Sequence, residues 1–431
     1  MVPFNKREYD LFLSYAHTES ILADKLYNWL TKKAGFSIWY DPNFAAGSYL
    51  GDLKEGLKKC RGLLLLNSPT AFDPKHGWIK KEYEIAHDLH SNDPNYKIIV
   101  VNTLNAKKDD LYAVTWIDMS SEELDLKLGL DILNAFYGNK HIIPGSAKDI
   151  YISCSWKPED FTSAKTVCTY LIGQGYRLIG DSKDQKGFDP KNRIEKIIKS
   201  CGAFVCIIPF RNETKADISE GPYKYFLKEI ELARNNNIPC YVIADPRVEM
   251  PDWSKSNFHL LDTNTDSLSE LMKTALDNLD HDWEKPNHPQ YIFYSLDFNA
   301  EFALKGSSVR SLMEKITALP ITTGWEVDTP PIQVSIIETI KNSFVTLADI
   351  SQRSENEPLT HRQINVNSCI EAAVAIAANV NLEILQKKCD EKTPFMLKSY
   401  QIDYYETDFE MAGLVHEKLR PYRRRVINNE L

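Results

Sequence analysis

Short apolar runs separated by helix-length amphipathic stretches fill the chain, and they recur in the same order three times. The first set is Tyr9 to Ser14, then FSIWY (36–40), LLLLN (63–67), KIIVV (97–101) and VTWID (114–118). A second opens at Asp149 to Ser153 and continues with YRLIG (176–180), AFVCIIP (203–209) and CYVIAD (240–245). A third opens at Tyr291 to Ser295 and includes FVTLADIS (344–351). Continuous apolar runs of this length are the pattern of parallel strands buried on both faces. The repeat of about 145 residues is far too long for a solenoid unit and suits a whole domain. The expected fold class is therefore α/β, with three doubly wound flavodoxin-like domains built on parallel sheets. Boundaries are expected at 1–145, 146–285 and 286–431. Proline and glycine punctuation marks linkers at 139–148 and 280–290, and the polar stretch 351–362 reads as a surface loop.

One helix carries an unusual residue. In WIKKEYEIA (78–86), positions 78, 82, 85 and 89 share a face. Trp78, Ile85 and Leu89 make that face apolar, yet its fourth member is Glu82. A carboxylate on a buried stripe costs several kcal/mol if unpaired, or answers with a raised pKa. Lys80, Lys81 and Glu84 point to solvent. KEYEIA (81–86) returns as KEIELA (228–233) with Glu229, and Glu371 keeps the same E-x-x-apolar-Ala core. In parallel α/β sheets the helix after the third strand begins at the carboxyl ends of the strands, where ligands bind. Two readings of Glu82 stand side by side. It faces a crevice as a functional group, or it sits at a stripe boundary and reaches water. Trp78 is likewise either a stacking surface or a core residue, and Ser14 either lines the crevice or only ends its strand.

The remaining composition narrows the classes. Lys and Arg total 51 against 60 acidic residues, a net charge of −9, which argues against sequence-independent nucleic-acid binding. The basic run Arg420, Arg423, Arg424 and Arg425 reads as the end of a solvated helix. No run approaches the roughly 18 apolar residues of a membrane span, and the first ten residues lack an export signal's apolar core. Eight scattered cysteines without a CxxC pair suggest reduced thiols in the cytoplasm. The ten histidines form no compact metal set, so no metal is expected, and no GxxxxGK[ST] loop is present.

YDLFLSYAH (9–17), FSIWYDP (36–42), the loop to Gly47 and WIKKE (78–82) together resemble the Toll/interleukin-1 receptor (TIR) domain of bacterial immunity proteins, over residues 6–138. Residues 148–281 resemble a second, more diverged TIR domain, with SWKPED in place of SYAHTES and LIGDS in place of WYDP. The third unit, with FVTLADIS and INVNSCIEAAVAIA (364–377), is similar to nucleoside 2-deoxyribosyltransferase-like domains. The first resemblance implies an NAD⁺ glycohydrolase of antiviral defence that depletes NAD⁺ or makes an ADP-ribose-type signal. NAD⁺ is then a substrate and no cofactor is needed. It implies Glu82 as the catalytic residue and Trp78, Ser14, Tyr15, Trp39 and Asp41 as substrate-binding, the last two in a loop that mediates assembly. Glu229, Tyr225 and Ser153 would be their counterparts in the second unit, which reads as a regulatory copy. Glu371, Asp349 and Ser295 are candidate ligand contacts in the third. Implied partners are NAD⁺, a nucleotide activator, and either further copies joined through TIR domains or a partner defence protein. A TIR scaffold or nucleotide sensor serving a separate effector is the alternative, and a third reading makes the C-terminal domain the enzyme.

Overall fold

A computed structural model describes residues 7–40, 50–73, 77–93, 95–104, 106, 111, 115–121, 123–138, 149–155, 160–180, 193–211, 218–219, 221–251, 258–260, 291–297, 300–326, 332–351, 364–388 and 393–427. Asp41, Cys389, both predicted linkers and nearly all of the predicted loop at 351–362 lie outside these residues.

The first unit alternates β1 (Leu11–Ser14), α1 (Ser20–Lys32), β2 (Ile38–Trp39), α2 (Leu50–Lys59), β3 (Gly62–Asn67), α3 (Gly77–Asn92), β4 (Lys97–Asn102), β5 (Thr115–Asp118) and α4 (Leu126–Tyr137). The second runs β6 (Asp149–Ser153), α5 (Phe161–Gly173), β7 (Arg177–Gly180), α6 (Arg193–Lys199), β8 (Ala203–Ile208), α7 (Lys224–Asn235), β9 (Cys240–Ala244) and β10 (Phe258–Leu260). The third runs β11 (Ile292–Ser295), α8 (Ala300–Thr317), β12 (Ile321–Thr323), α9 (Ile332–Lys341), β13 (Val345–Asp349), α10 (Val366–Ala377), β14 (Asn381–Lys387), β15 (Ile402–Tyr405) and α11 (Asp408–Leu419). A last strand, β16 (Arg425–Val426), follows.

The three sheets have the orders β2-β1-β3-β4-β5, β7-β6-β8-β9-β10 and β12-β11-β13-β14-β15, parallel throughout. This is the 2-1-3-4-5 order of flavodoxin-like sheets, so each unit has a switch point between its first and third strands. Alternation along β1 sends Leu11 and Leu13 into the core under α1 and α4, and Phe12 to the opposite face under α2 and α3. Side chains cap several helices at their starts. Asp125 accepts from the Leu128 amide before α4, Asn365 from Ser368 before α10, and Thr407 from Glu410 before α11.

Two expectations need correction. The third unit does not keep its own C-terminal residues, because β16 pairs antiparallel with β7 and becomes the sixth strand of the second sheet. The arginine run does not end a solvated helix either. The Arg420 guanidinium is buried and donates to both oxygens of Asp10 at 2.8 and 3.1 Å, and to the Gly35 carbonyl. Arg424, also buried, donates to Asp149 at 2.6 Å. Asp149 begins β6 and Asp10 directly precedes β1, and each holds a second arginine, Arg61 on Asp10 and Arg177 on Asp149. A carboxylate flanked by two guanidinium groups tolerates burial, and this is why Arg420 and Arg424 leave solvent. Burial would raise both carboxyls, but the arginines, Arg420 and Arg424 foremost, outweigh it and hold them below the usual range.

α11 lies in the groove between the first and third units. Its Phe409 stacks on Trp29 of α1 at 4.2 Å between ring centres, and the Trp29 indole donates to the Phe409 carbonyl. His416 stacks on Phe36 and donates from Nδ1 to the Ala34 carbonyl, so Nε2 accepts from the Tyr137 hydroxyl. Desolvation, helped by Arg420, pushes that imidazole down to about 3 and keeps it neutral. One apolar cluster accordingly runs from Leu11 and Leu133 through Phe409 to Ile292 and Leu347.

Candidate active site

The carboxyl end of β1 places Ser14 on the face that α3 covers. Its neighbour across the ladder is Leu65 of β3, at the switch point of the first sheet. Ser14 donates a short hydrogen bond to Glu82 Oε2 on α3, and the two groups are only 2 and 8% exposed. Desolvation pushes the Glu82 carboxyl up to about 7, against the lowering effect of the Ser14 hydroxyl. A carboxyl raised towards neutral pH is available in both acid and base forms there, as general acid–base chemistry uses. Trp78, one helical turn earlier, is half-buried at the edge of the same apolar cluster, with the Lys81 ammonium 4.8 Å from its ring centre.

The other residues predicted for this site divide. Tyr15 follows Ser14 directly and so points to the opposite face, where it packs on the α1 side beside Tyr40, 5.5 Å away. It does not join Glu82. Trp39 belongs to β2 rather than to a loop. It meets Tyr9 edge-on and lies so close to Gly56 of α2 that a β-carbon there would sit 3.2 Å from its ring. Asp41 lies outside the described residues.

A polar ladder at the same strand ends was missed in the sequence. Asn67 donates to Asn102 at 2.9 Å, and Asn102 to Asp118 at 2.6 Å, linking the last residues of β3, β4 and β5. Asn67 and Asn102 are buried and share the sheet face of Ser14, as the alternation with Leu63, Leu65, Ile98 and Val100 shows. The signal was present. Three apolar runs each end in a residue with a carboxamide or carboxylate, LLLLN, KIIVVN and TWID.

The second unit lacks the dyad. Glu229 is half-buried and takes a 3.4 Å hydrogen bond from Tyr151, while the buried Ser153 hydroxyl makes no hydrogen bond to it. Beyond β8, Arg211 donates to Asp160 and Ser155, and its own amide donates to the Tyr223 hydroxyl. It thereby ties the strand ends of this unit together. Tyr225, the counterpart of Trp78, is exposed.

The third unit restores the pair. Ser295 ends β11 and donates a short hydrogen bond to Glu371 of α10, again with both groups buried. Desolvation raises the Glu371 carboxyl against the effect of Ser295. Asp349 does not join them. It alternates with Val345 and Leu347 and so lies on the α8 and α11 face, where the Tyr405 hydroxyl donates to both its oxygens. Among the described residues, no group of three His, Cys, Asp or Glu side chains is placed to hold a metal ion.

Residues 11–129, from β1 into α4, match the family model described as the TIR domain. The second and third units lie beyond that match. No curated protein matches the chain. Among solved structures, PH0766 from Pyrococcus horikoshii OT3 is similar at 12% identity, covering 98% of this chain and 99% of that one, with a TM-score of 0.18. No helix among the described residues is long and apolar enough to cross a membrane.

Proposed function

We propose that the first unit is an NAD⁺ glycohydrolase, adding water across the nicotinamide–ribose bond to give nicotinamide, ADP-ribose and a proton. The observation that carries this reading is the buried Ser14–Glu82 pair at the switch point of a unit that matches the TIR domain. As nicotinamide leaves, positive charge builds at the anomeric carbon in an oxocarbenium-like transition state. The Glu82 carboxylate is already desolvated and oriented by Ser14, so it opposes that charge without reorganising. Its free oxygen can take a ribose hydroxyl, and Trp78 offers an aromatic face one turn away. The Asn67–Asn102–Asp118 ladder supplies fixed dipoles along the strand ends.

In the cell this reaction would serve antiviral defence, by depleting NAD⁺ or by releasing an ADP-ribose-type signal once TIR units assemble. The second unit is read as a non-catalytic companion, because Ser153 leaves Glu229 and Arg211 links the strand ends. Nicotinamide release from NAD⁺ by the wild type, Glu82→Gln and Glu229→Gln, with native mass measured in parallel, tests both assignments. Glu82→Gln is expected to lose at least about 100-fold in rate, the scale of one preorganised electrostatic group, and Glu229→Gln to keep full activity. Equal activity of Glu82→Gln and wild type would sink the reading in favour of a scaffold.

A further inference from the structure

The dyad is repeated in the third unit with one replacement that changes what it can hold. Ser295 and Glu371 occupy the same two positions as Ser14 and Glu82. Each serine ends the first strand and each glutamate sits on the helix after the third, over the same switch point. One turn before each glutamate the residue differs. Trp78 stands four positions ahead of Glu82, whereas Asn367, an exposed carboxamide, stands four ahead of Glu371. An indole gives a stacking surface for a planar ring, but a carboxamide gives a donor and an acceptor for hydroxyl groups. A second observation points to an occupant. Ser368 lies three positions before Glu371 on the same side of α10 and is fully buried, and its hydroxyl has no hydrogen-bond partner among the described residues. Buried hydroxyls are normally satisfied, so this one marks a place where a polar group is expected.

We propose that the third unit is a second sugar site, in which Ser295, Glu371, Ser368 and Asn367 hold a ribosyl compound that carries a hydroxyl, rather than a ring base, at its anomeric carbon. This rests on the reading of the first unit for its ligand class, since hydrolysis there yields such a compound, ADP-ribose. The third unit is then a product site. α11 joins this unit to the first one, packing on α1 and α4 by way of Trp29, Phe409, Tyr137 and His416.

The test is calorimetry of the full chain carrying Glu82→Gln, titrated with ADP-ribose and, separately, with NAD⁺. One ADP-ribose site per chain is expected, with NAD⁺ at least tenfold weaker. Adding Asn367→Leu, on an exposed position that leaves the fold alone, is expected to weaken ADP-ribose at least tenfold, and so is adding Glu371→Gln. If the Glu371 variant fails to fold, the Asn367 variant decides. No heat with ADP-ribose, or binding unchanged by Asn367→Leu, overturns the proposal. The assignment of the first unit is scored separately by nicotinamide release from the wild type. If that release is absent while binding still depends on Asn367 and Glu371, the first reading falls and the sugar site stands.

Discussion

At the scale of single residues, Glu82 combines two pH dependences of opposite sense. Its folded pKa of about 7 lies above the ordinary value of 4.5, so the folded state holds the proton more tightly than the unfolded chain. The resulting stabilisation is complete below the unfolded value and is lost as pH rises through 7, a difference of roughly 3 kcal/mol at most. The proposed NAD⁺ hydrolysis would use the carboxylate, and on that reading kcat/KM should rise through the same range. Urea unfolding at pH 5 and pH 8 should therefore show a drop in stability for wild type that Glu82→Gln lacks. Ser14→Ala removes the hydroxyl that lowers this pKa, and its rate profile should turn at higher pH than wild type. Glu82 was legible because a carboxylate interrupts an apolar stripe of known period. That Ser14 meets it was not, since the two lie 68 positions apart and only the strand order brings them together. Tyr15 cannot share the crevice with Ser14, because adjacent strand residues face opposite ways.

At the scale of elements, strands buried on both faces announced themselves, while the partly exposed strands of the third unit did not. LLLL (63–66) and AFVCII are apolar throughout, as a strand with neighbours on each side must be. The strands β12, β14 and β15 are short or half-exposed, with polar residues on one side, and leave no continuous apolar run in the sequence. β16 could not be read from sequence at all, since its partner lies about 245 positions earlier by the pairing of Arg425 with Gly180. The arginines that anchor it looked solvated because composition reports a charge but not its partner. Arg424→Met should cost about 3 kcal/mol by leaving Asp149 buried with Arg177 alone, and adding Asp149→Leu should recover part of the loss. Chemical denaturation of the two variants checks both directions.

At the scale of the whole molecule, the three units unfold together only if α11 keeps its seat. A β-carbon on Gly413 would sit 2.8 Å from the Trp29 indole nitrogen and 3.0 Å from Lys33, and one on Gly129 would sit 2.9 Å from the Phe409 ring. Both glycines leave room on a helix backbone for an aromatic ring that a β-carbon would clash with. Wild type is expected to unfold in a single thermal transition, and Gly413→Ala should destabilise by about 2 kcal/mol and split it into two. Scanning calorimetry checks this. The repeat of strands foretold three units of one architecture, whereas the contacts between them rest on residues that nothing in the local pattern sets apart.

The antiparallel pairing of β16 with β7 also imposes an order on biosynthesis. Residues 149–260 leave the ribosome well before residue 425 does, and at 5–20 residues per second the wait is roughly 10–30 s. Through that interval the nascent second sheet carries a bare flank open to any extended chain nearby, the usual seed of misassembly. Translation of the last stretch closes it, so a message cut short upstream of codon 424 should yield a sticky product that quality control removes.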